Sequence, residues 1–184
     1  MERHRVLRST FDRIRNPEFK KFNALIFTKD LSVAGGWFGS VHVSVPGSRD
    51  AIDVQKIKLE DRSVDVVVCN HVLTSVPDYK KALNEITRII SDRGFAFISF
   101  SNPNFRAVTE DWGKADPNRH NQYRIFGSDI EQQLPSILPS AGILRVSQSD
   151  PVTATEDRAY IISKNIELLE AFAEAGWRVR FIHF

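Results

Sequence analysis

One cysteine, Cys69, stands among 184 residues, so no disulfide framework holds this chain and no cysteine-rich zinc site can form. No metal is expected. No apolar run approaches the roughly 20 residues that a membrane span needs. The opening Met-Glu-Arg-His-Arg is charged and no apolar segment follows it, so the sequence predicts no secretion signal and a soluble cytoplasmic protein. An excess of one charge is missing too, because 25 basic and 23 acidic residues leave +2. What imbalance there is sits in residues 1–22, where seven Arg or Lys face three acids, a local +4. It reads as the solvated face of an amphipathic helix. No basic stretch interleaved with aromatics follows, so nucleic acid is not an expected partner. Repeats and low-complexity tracts are absent.

What is present is core material. Hydrophobic residues make up 42% and charged residues 26%, and thirteen Phe with three Trp supply bulk enough for one domain. Val6, Leu7, Thr10, Phe11 and Ile14 recur at helical spacing and predict a helix over 3–15, ended by Asn16-Pro17. Strands are predicted over 22–27, 41–45 and, briefly, 51–54, with a short helical turn over 31–38. Residues 64–70, Val-Asp-Val-Val-Val-Cys-Asn, are too β-branched for a helix and apolar on both faces, as a central parallel strand must be. Asp78 is placed to cap a helix whose Ala82, Leu83, Ile86, Ile89 and Ile90 face a core. The Asp92-Arg93-Gly94 turn then leads into a strand over 95–100. Strand, helix, strand at this spacing is a right-handed βαβ unit, and the class is α/β, a doubly wound, Rossmann-like, mostly parallel sheet.

Further along, residues 101–127 form a polar loop too long for a mere connector. A helix near 129–140, bent by Pro135 and Pro139, precedes an antiparallel hairpin of strands 143–148 and 158–163. The tail predicts a helix over 166–175 and an alternating strand over 177–184. So much apolar surface in the last residues packs on its own domain or, alternatively, pairs as an edge strand in a homodimer. Packing within the chain is the expectation.

The stretch from Asp53 to Gly94 resembles the type 11 group of class I S-adenosylmethionine-dependent methyltransferases. The matching residues are Asp53, then Ser63-Val64-Asp65 and the strand to Asn70, Leu73-Thr-Ser-Val76-Pro-Asp78, Glu85-Ile-Thr-Arg88 and Gly94. Phe126-Gly127-Ser-Asp129 is similar to the segment that opens a later helix in many relatives. The resemblance implies a methyltransferase-like α/β domain over residues 1–164, with 1–16 as its leading helix and 165–184 as a C-terminal helix–strand extension. It implies S-adenosylmethionine as cofactor, with Asp53 accepting a hydrogen bond from the adenine amino group. Asn70 and His71 would stand where methyl donor and acceptor meet, with His71 orienting the acceptor or taking its proton.

Other positions of the resemblance are altered. The relatives' glycine-rich segment after the first strand is here Phe27-Thr-Lys-Asp30-Leu-Ser-Val33, which leaves Asp30 to face the cofactor's ammonium group. The second strand, ending in Val45-Pro46, lacks the acid that grips the ribose, unless Asp50 reaches back. Weak cofactor binding is therefore expected. The 101–127 loop is the expected substrate cover, with Trp112, Tyr123 and Arg124 as acceptor contacts and His120 as a second candidate base. Polar and aromatic groups together suit a sugar or another hydroxylated small molecule. The function implied is O- or N-methylation of a small-molecule acceptor. The alternative is a catalytically inactive methyltransferase-like scaffold or interaction domain. Asp65, Glu85 with Arg88, and Cys69 read as structural: a strand-start carboxylate, a surface ion pair and a buried filler.

Overall fold

The computed structural model describes residues 2–14, 16–27, 36–100, 105–149, 152–154, 156–175 and 178–184. Asp30 and its altered glycine segment, loop residues Asn102 and Asn104, the Asp150-Pro151 turn, Gly176 and Trp177 lie outside these. Leu7, Phe11 and Ile14 share one face of α1 (Glu2–Ile14), and all three are buried. The short apolar runs become β1 (Asn23–Phe27), β2 (Ser40–Ser44), β3 (Val64–Asn70) and, after α2 (Tyr79–Ile89), β4 (Ile90–Ser99). These four strands are parallel, and every residue of β3 is buried, as its double-sided apolar pattern requires. Asp78 caps α2 by accepting the Lys81 N–H at 2.9 Å.

Residues 101–127 are more than the expected loop: among the described ones, β5 (Glu110–Asp116) and β6 (Gln122–Ile125) form a separate antiparallel hairpin. Its turn is closed by His120 and Asn121, both in the left-handed region at φ 54° and 59°. Neither is a glycine, so the usual hairpin signal was missing from the sequence. Helix α3 (Ile130–Ile137), strands β7 (Gly142–Ser149) and β8 (Glu156–Ser163), helix α4 (Ile166–Glu174) and strand β9 (Arg178–His183) complete the chain. The main sheet has the order β2-β1-β3-β4-β8-β7-β9, with β8 antiparallel to β4 and to β7. The tail strand β9 pairs antiparallel with β7 of its own sheet.

One expected strand does not form. Residues 51–54 make no backbone ladder with β2, and β2 is the edge of the sheet. The cause is local. The Asp53 carboxylate and carbonyl bond forward to Gln55 and Lys56, closing a turn where a strand would have continued. Ile52 is instead hydrogen-bonded to β2 through the Ser44 hydroxyl, which accepts its N–H at 2.8 Å. A second difference lies at the start of β4, which begins at Ile90 and carries Asp92-Arg93-Gly94 as an irregularity within the strand. Gly94 is obligatory there, since a Cβ would stand 2.3 Å from the Asp65 carbonyl oxygen.

Two cores sandwich the sheet. One face packs on α2 and α3 through Leu83, Ile86, Phe100 and Leu134, and the other on α1 and α4 through Phe11, Phe95 and Phe172. Asp65 joins the sheet's amino end together: it accepts Arg93 Nε and Nη2 (2.8 and 2.9 Å), the Ser91 hydroxyl and the Asn23 backbone N–H.

Candidate functional site

In an open α/β sheet, ligands sit beyond the carboxyl ends of the strands where strand order reverses. Here that switch lies between β1 and β3. A cavity of about 260 Å³ opens there, walled by Phe27 from the end of β1, Ser44 at the end of β2 and Pro46 just past it, Ile52 to Gln55, and Val72 and Ser75 to Pro77 past β3. Its walls are largely apolar, with Asp53 at an exposed rim. Asp53 Oδ1 accepts the Gln55 backbone N–H (2.9 Å) and side-chain amide (3.3 Å). Gln55 Oε1 in turn accepts the N–H of Asp78, the cap of α2, at 2.9 Å. Gln55 thus ties the rim carboxylate to a rigid helix, a link that sequence spacing alone did not reveal.

Asn70 ends β3 and is buried, and its Oδ1 accepts the Ser99 hydroxyl from β4. His71 then turns the chain off the sheet in a left-handed conformation, φ 59°, with its N–H on the Ser99 carbonyl at 3.1 Å. A non-glycine residue pays roughly 1–2 kcal/mol for that backbone, which is common where a side chain must be aimed at a site. The short 3-10 turn Leu73–Ser75 follows, braced by the Thr74 hydroxyl on the His71 carbonyl at 3.3 Å.

The β5–β6 hairpin lies with β6 against that turn, so the two sit on the same rim of the sheet. Arg124 makes the joint. Its side chain is 2% exposed, and it donates to Asp111 Oδ2 (2.6 Å) and to the carbonyls of Leu73 (3.0 Å), Val76 and Pro77 (2.6 Å). Burial pushes the Asp111 carboxyl up, but hydrogen bonds from Arg124 and the Gly113 N–H outweigh it and hold the group below its ordinary value. The guanidinium also lies over the Tyr79 ring at 4.9 Å, and the Tyr79 hydroxyl donates to Gln133 Oε1 at 2.6 Å. Burial raises the Tyr79 phenol.

The expected site residues therefore separate. Asp53 borders the cavity, and Asn70 and His71 end the central strand beside it. Tyr123 is half-buried on β6, while Arg124 is turned inward with its donors engaged by the protein itself. Trp112 is on β5, its indole N–H on Glu110 (2.9 Å) and its ring under the Arg119 guanidinium at 4.6 Å. His120 is exposed in the turn of the hairpin. Among the described residues no three metal-ligating side chains cluster, and no helix is long and apolar enough to cross a membrane.

With this geometry in view, residues 46–98 match the family described as a methyltransferase domain. The fold is that of the class I methyltransferases. A methyltransferase from Bacillus halodurans, described as putative, superposes with a TM-score of 0.53 at 10% identity, over 86% of this chain and 98% of that one. A Haloferax volcanii protein, also described as a putative methyltransferase and solved in complex with the methyltransferase activator Trm112, gives 0.59 at 12%, over 89% and 90%. The Burkholderia thailandensis 1,6-didemethyltoxoflavin-N1-methyltransferase, solved with S-adenosylhomocysteine, gives 0.52 at 14%, over 89% and 78%. No curated protein sequence matches the chain. The family match begins just past β2 and runs through β3 and α2 into β4, the part of the chain that carries Asp53, Asn70 and His71.

Proposed function

We propose that this chain is an S-adenosylmethionine-dependent methyltransferase acting on the oxygen or nitrogen of a small molecule. The observation that carries the proposal is the cavity at the β1/β3 switch, bordered by Asp53 and walled mostly by residues of the segment that matches the family. The residues present fit an adenosyl group at one end. Apolar walls from Phe27, Ile52, Val72 and Val76 suit a flat base, and Asp53 Oδ2 makes no hydrogen bond among the described residues, leaving an acceptor for an exocyclic amine. The Burkholderia neighbour's S-adenosylhomocysteine supports the same cofactor class here. The ribose end has less to offer, because β2 closes on Ser44 and its hydroxyl is engaged by Ile52. Binding is accordingly weak.

When bound, the cofactor supplies an electrophilic methyl group. The chain's own residues hold the acceptor in line and receive its proton. With the methyl group supplied by the bound cofactor, His71 at the strand end would take the proton that the acceptor's oxygen or nitrogen releases. Tyr123 and Trp112 offer the acceptor aromatic surface on the hairpin, with His120 as a second proton acceptor at its turn. Asp30 would face the cofactor's ammonium group. Supplying methyl-labelled donor with a set of hydroxylated and amine acceptors tests the assignment. Labelled product should form, and His71→Ala should lose about 10²-fold in rate while still binding S-adenosylhomocysteine. Absence of transfer to every acceptor, with cofactor binding intact, would favour the second reading. In that reading the domain is an inactive scaffold, a possibility favoured by the ribose end without an acid. The Haloferax neighbour's complex with an activator makes a protein partner the natural occupant in that case.

A further inference from the structure

We propose that Arg124 is a positioning residue that locks the acceptor-side hairpin to the wall of the cofactor cavity. The proposal rests on the cofactor assignment made above and extends it to a residue that lines no part of the cavity. Val76 and Pro77 line the cavity, and their carbonyls are held by the Arg124 guanidinium. The Leu73 carbonyl, at the start of the same turn, is held as well. One side chain on β6 therefore holds carbonyls at both ends of the 73–77 segment, whose Ser75, Val76 and Pro77 line the cavity.

The charge balance supports a mechanical role. Among the described residues, this guanidinium, 2% exposed, is ion-paired with one carboxylate, Asp111 on the partner strand of the hairpin, and otherwise meets carbonyl dipoles and aromatic ring faces. The five donors of arginine sit in a rigid fork, so contacts to three separate carbonyls and a carboxylate require one relative placement of hairpin and wall. A lysine ammonium carries three donors on a flexible stem and cannot span the same set. The lock also reaches Asp53. Asp78, next to Pro77, donates its N–H to Gln55, and Gln55 holds the Asp53 carboxylate. A shift of the 76–78 backbone would move the group that reads the adenine.

The test compares unmodified protein with Arg124→Met and Arg124→Lys, using S-adenosylhomocysteine titration calorimetry and hydrogen exchange read by mass spectrometry. Circular dichroism at the working temperature establishes that each variant is folded. Arg124→Met should weaken S-adenosylhomocysteine by about tenfold or more and speed exchange both in 73–77 and in 110–125. Arg124→Lys keeps the buried charge and serves if the Met variant does not fold. It should change both quantities in the same direction, because charge without the fork does not restore the lock. Affinity within about twofold of the unmodified protein in a folded variant, with or without faster exchange, would make Arg124 merely structural and overturn the proposal. If the unmodified protein binds no S-adenosylhomocysteine, the cofactor assignment itself fails, and the positioning role that rests on it is overturned whatever the exchange shows.

Discussion

At the scale of single residues, charge placement separates structural from functional groups. Asp65 is nearly buried at the amino end of β3, on the opposite rim from Asp53. Burial pushes its carboxyl up, but the hydrogen bonds from Arg93, Ser91 and the Asn23 N–H outweigh that and bring it below its ordinary value. A carboxyl depressed in the folded state stabilises the fold above the unfolded-state value, near roughly 4, and that stabilisation is lost as pH falls through the folded-state value. The melting temperature should therefore drop on acidification below about pH 4, and Asp65→Asn should flatten the drop while costing roughly 1–3 kcal/mol at neutral pH. An unchanged acid limb in the variant would show that other carboxyls control it. Cys69 is fully buried and burial alone drives its thiol up, so it should resist alkylation until the protein unfolds. Both residues were legible from position within an apolar strand. Arg124 was not. In sequence it reads as a loop cation offered to the acceptor, and only the fold shows carbonyls from about fifty residues upstream converging on it.

At the scale of elements, what could be read depended on whether backbone partners were local. β3 and α2 carry unambiguous periods, two-sided apolar in one and 3.6-residue in the other, and both formed where expected. The α2 cap was equally legible, and Asp78→Ala should destabilise by about 0.5–2 kcal/mol in a denaturant titration. That variant keeps the backbone N–H on Gln55, so Asp53 should stay supported. The 51–54 strand failed because side-chain bonds of Asp53 divert the chain, a competition that apolar pattern does not reveal. The hairpin was hidden by a turn built from left-handed His120 and Asn121 and by strands with no apolar alternation. Glu85 and Arg88 form the expected pair at 2.8 Å, but the pair does more than line a surface. Arg88 also holds the carbonyls of Ile57 and Leu59, and Glu85 accepts the Ile57 N–H, so together they shape the segment that replaces a regular element after Asp53.

At the scale of the whole molecule, a sheet of seven strands is bounded by β2 on one side and β9 on the other. β9 covers β7, and Phe181 stacks on Phe184 at 4.3 Å. Deleting residues 178–184 should lower the melting temperature by exposing β7 while light scattering gives an unchanged mass. A fall in mass would instead place the tail in an interface. The switch between β1 and β3 sits far from that edge, and the proposed chemistry depends on it. Titration calorimetry of the unmodified protein and of Asp53→Ala with S-adenosylhomocysteine tests this most directly. Weak, saturable binding is expected, and the variant should lose about 1–3 kcal/mol of it, the usual cost of stranding a hydrogen-bonding partner. No heat and no thermal shift at millimolar ligand, or an affinity untouched by the substitution, would contradict the assignment of this cavity to the adenosyl group.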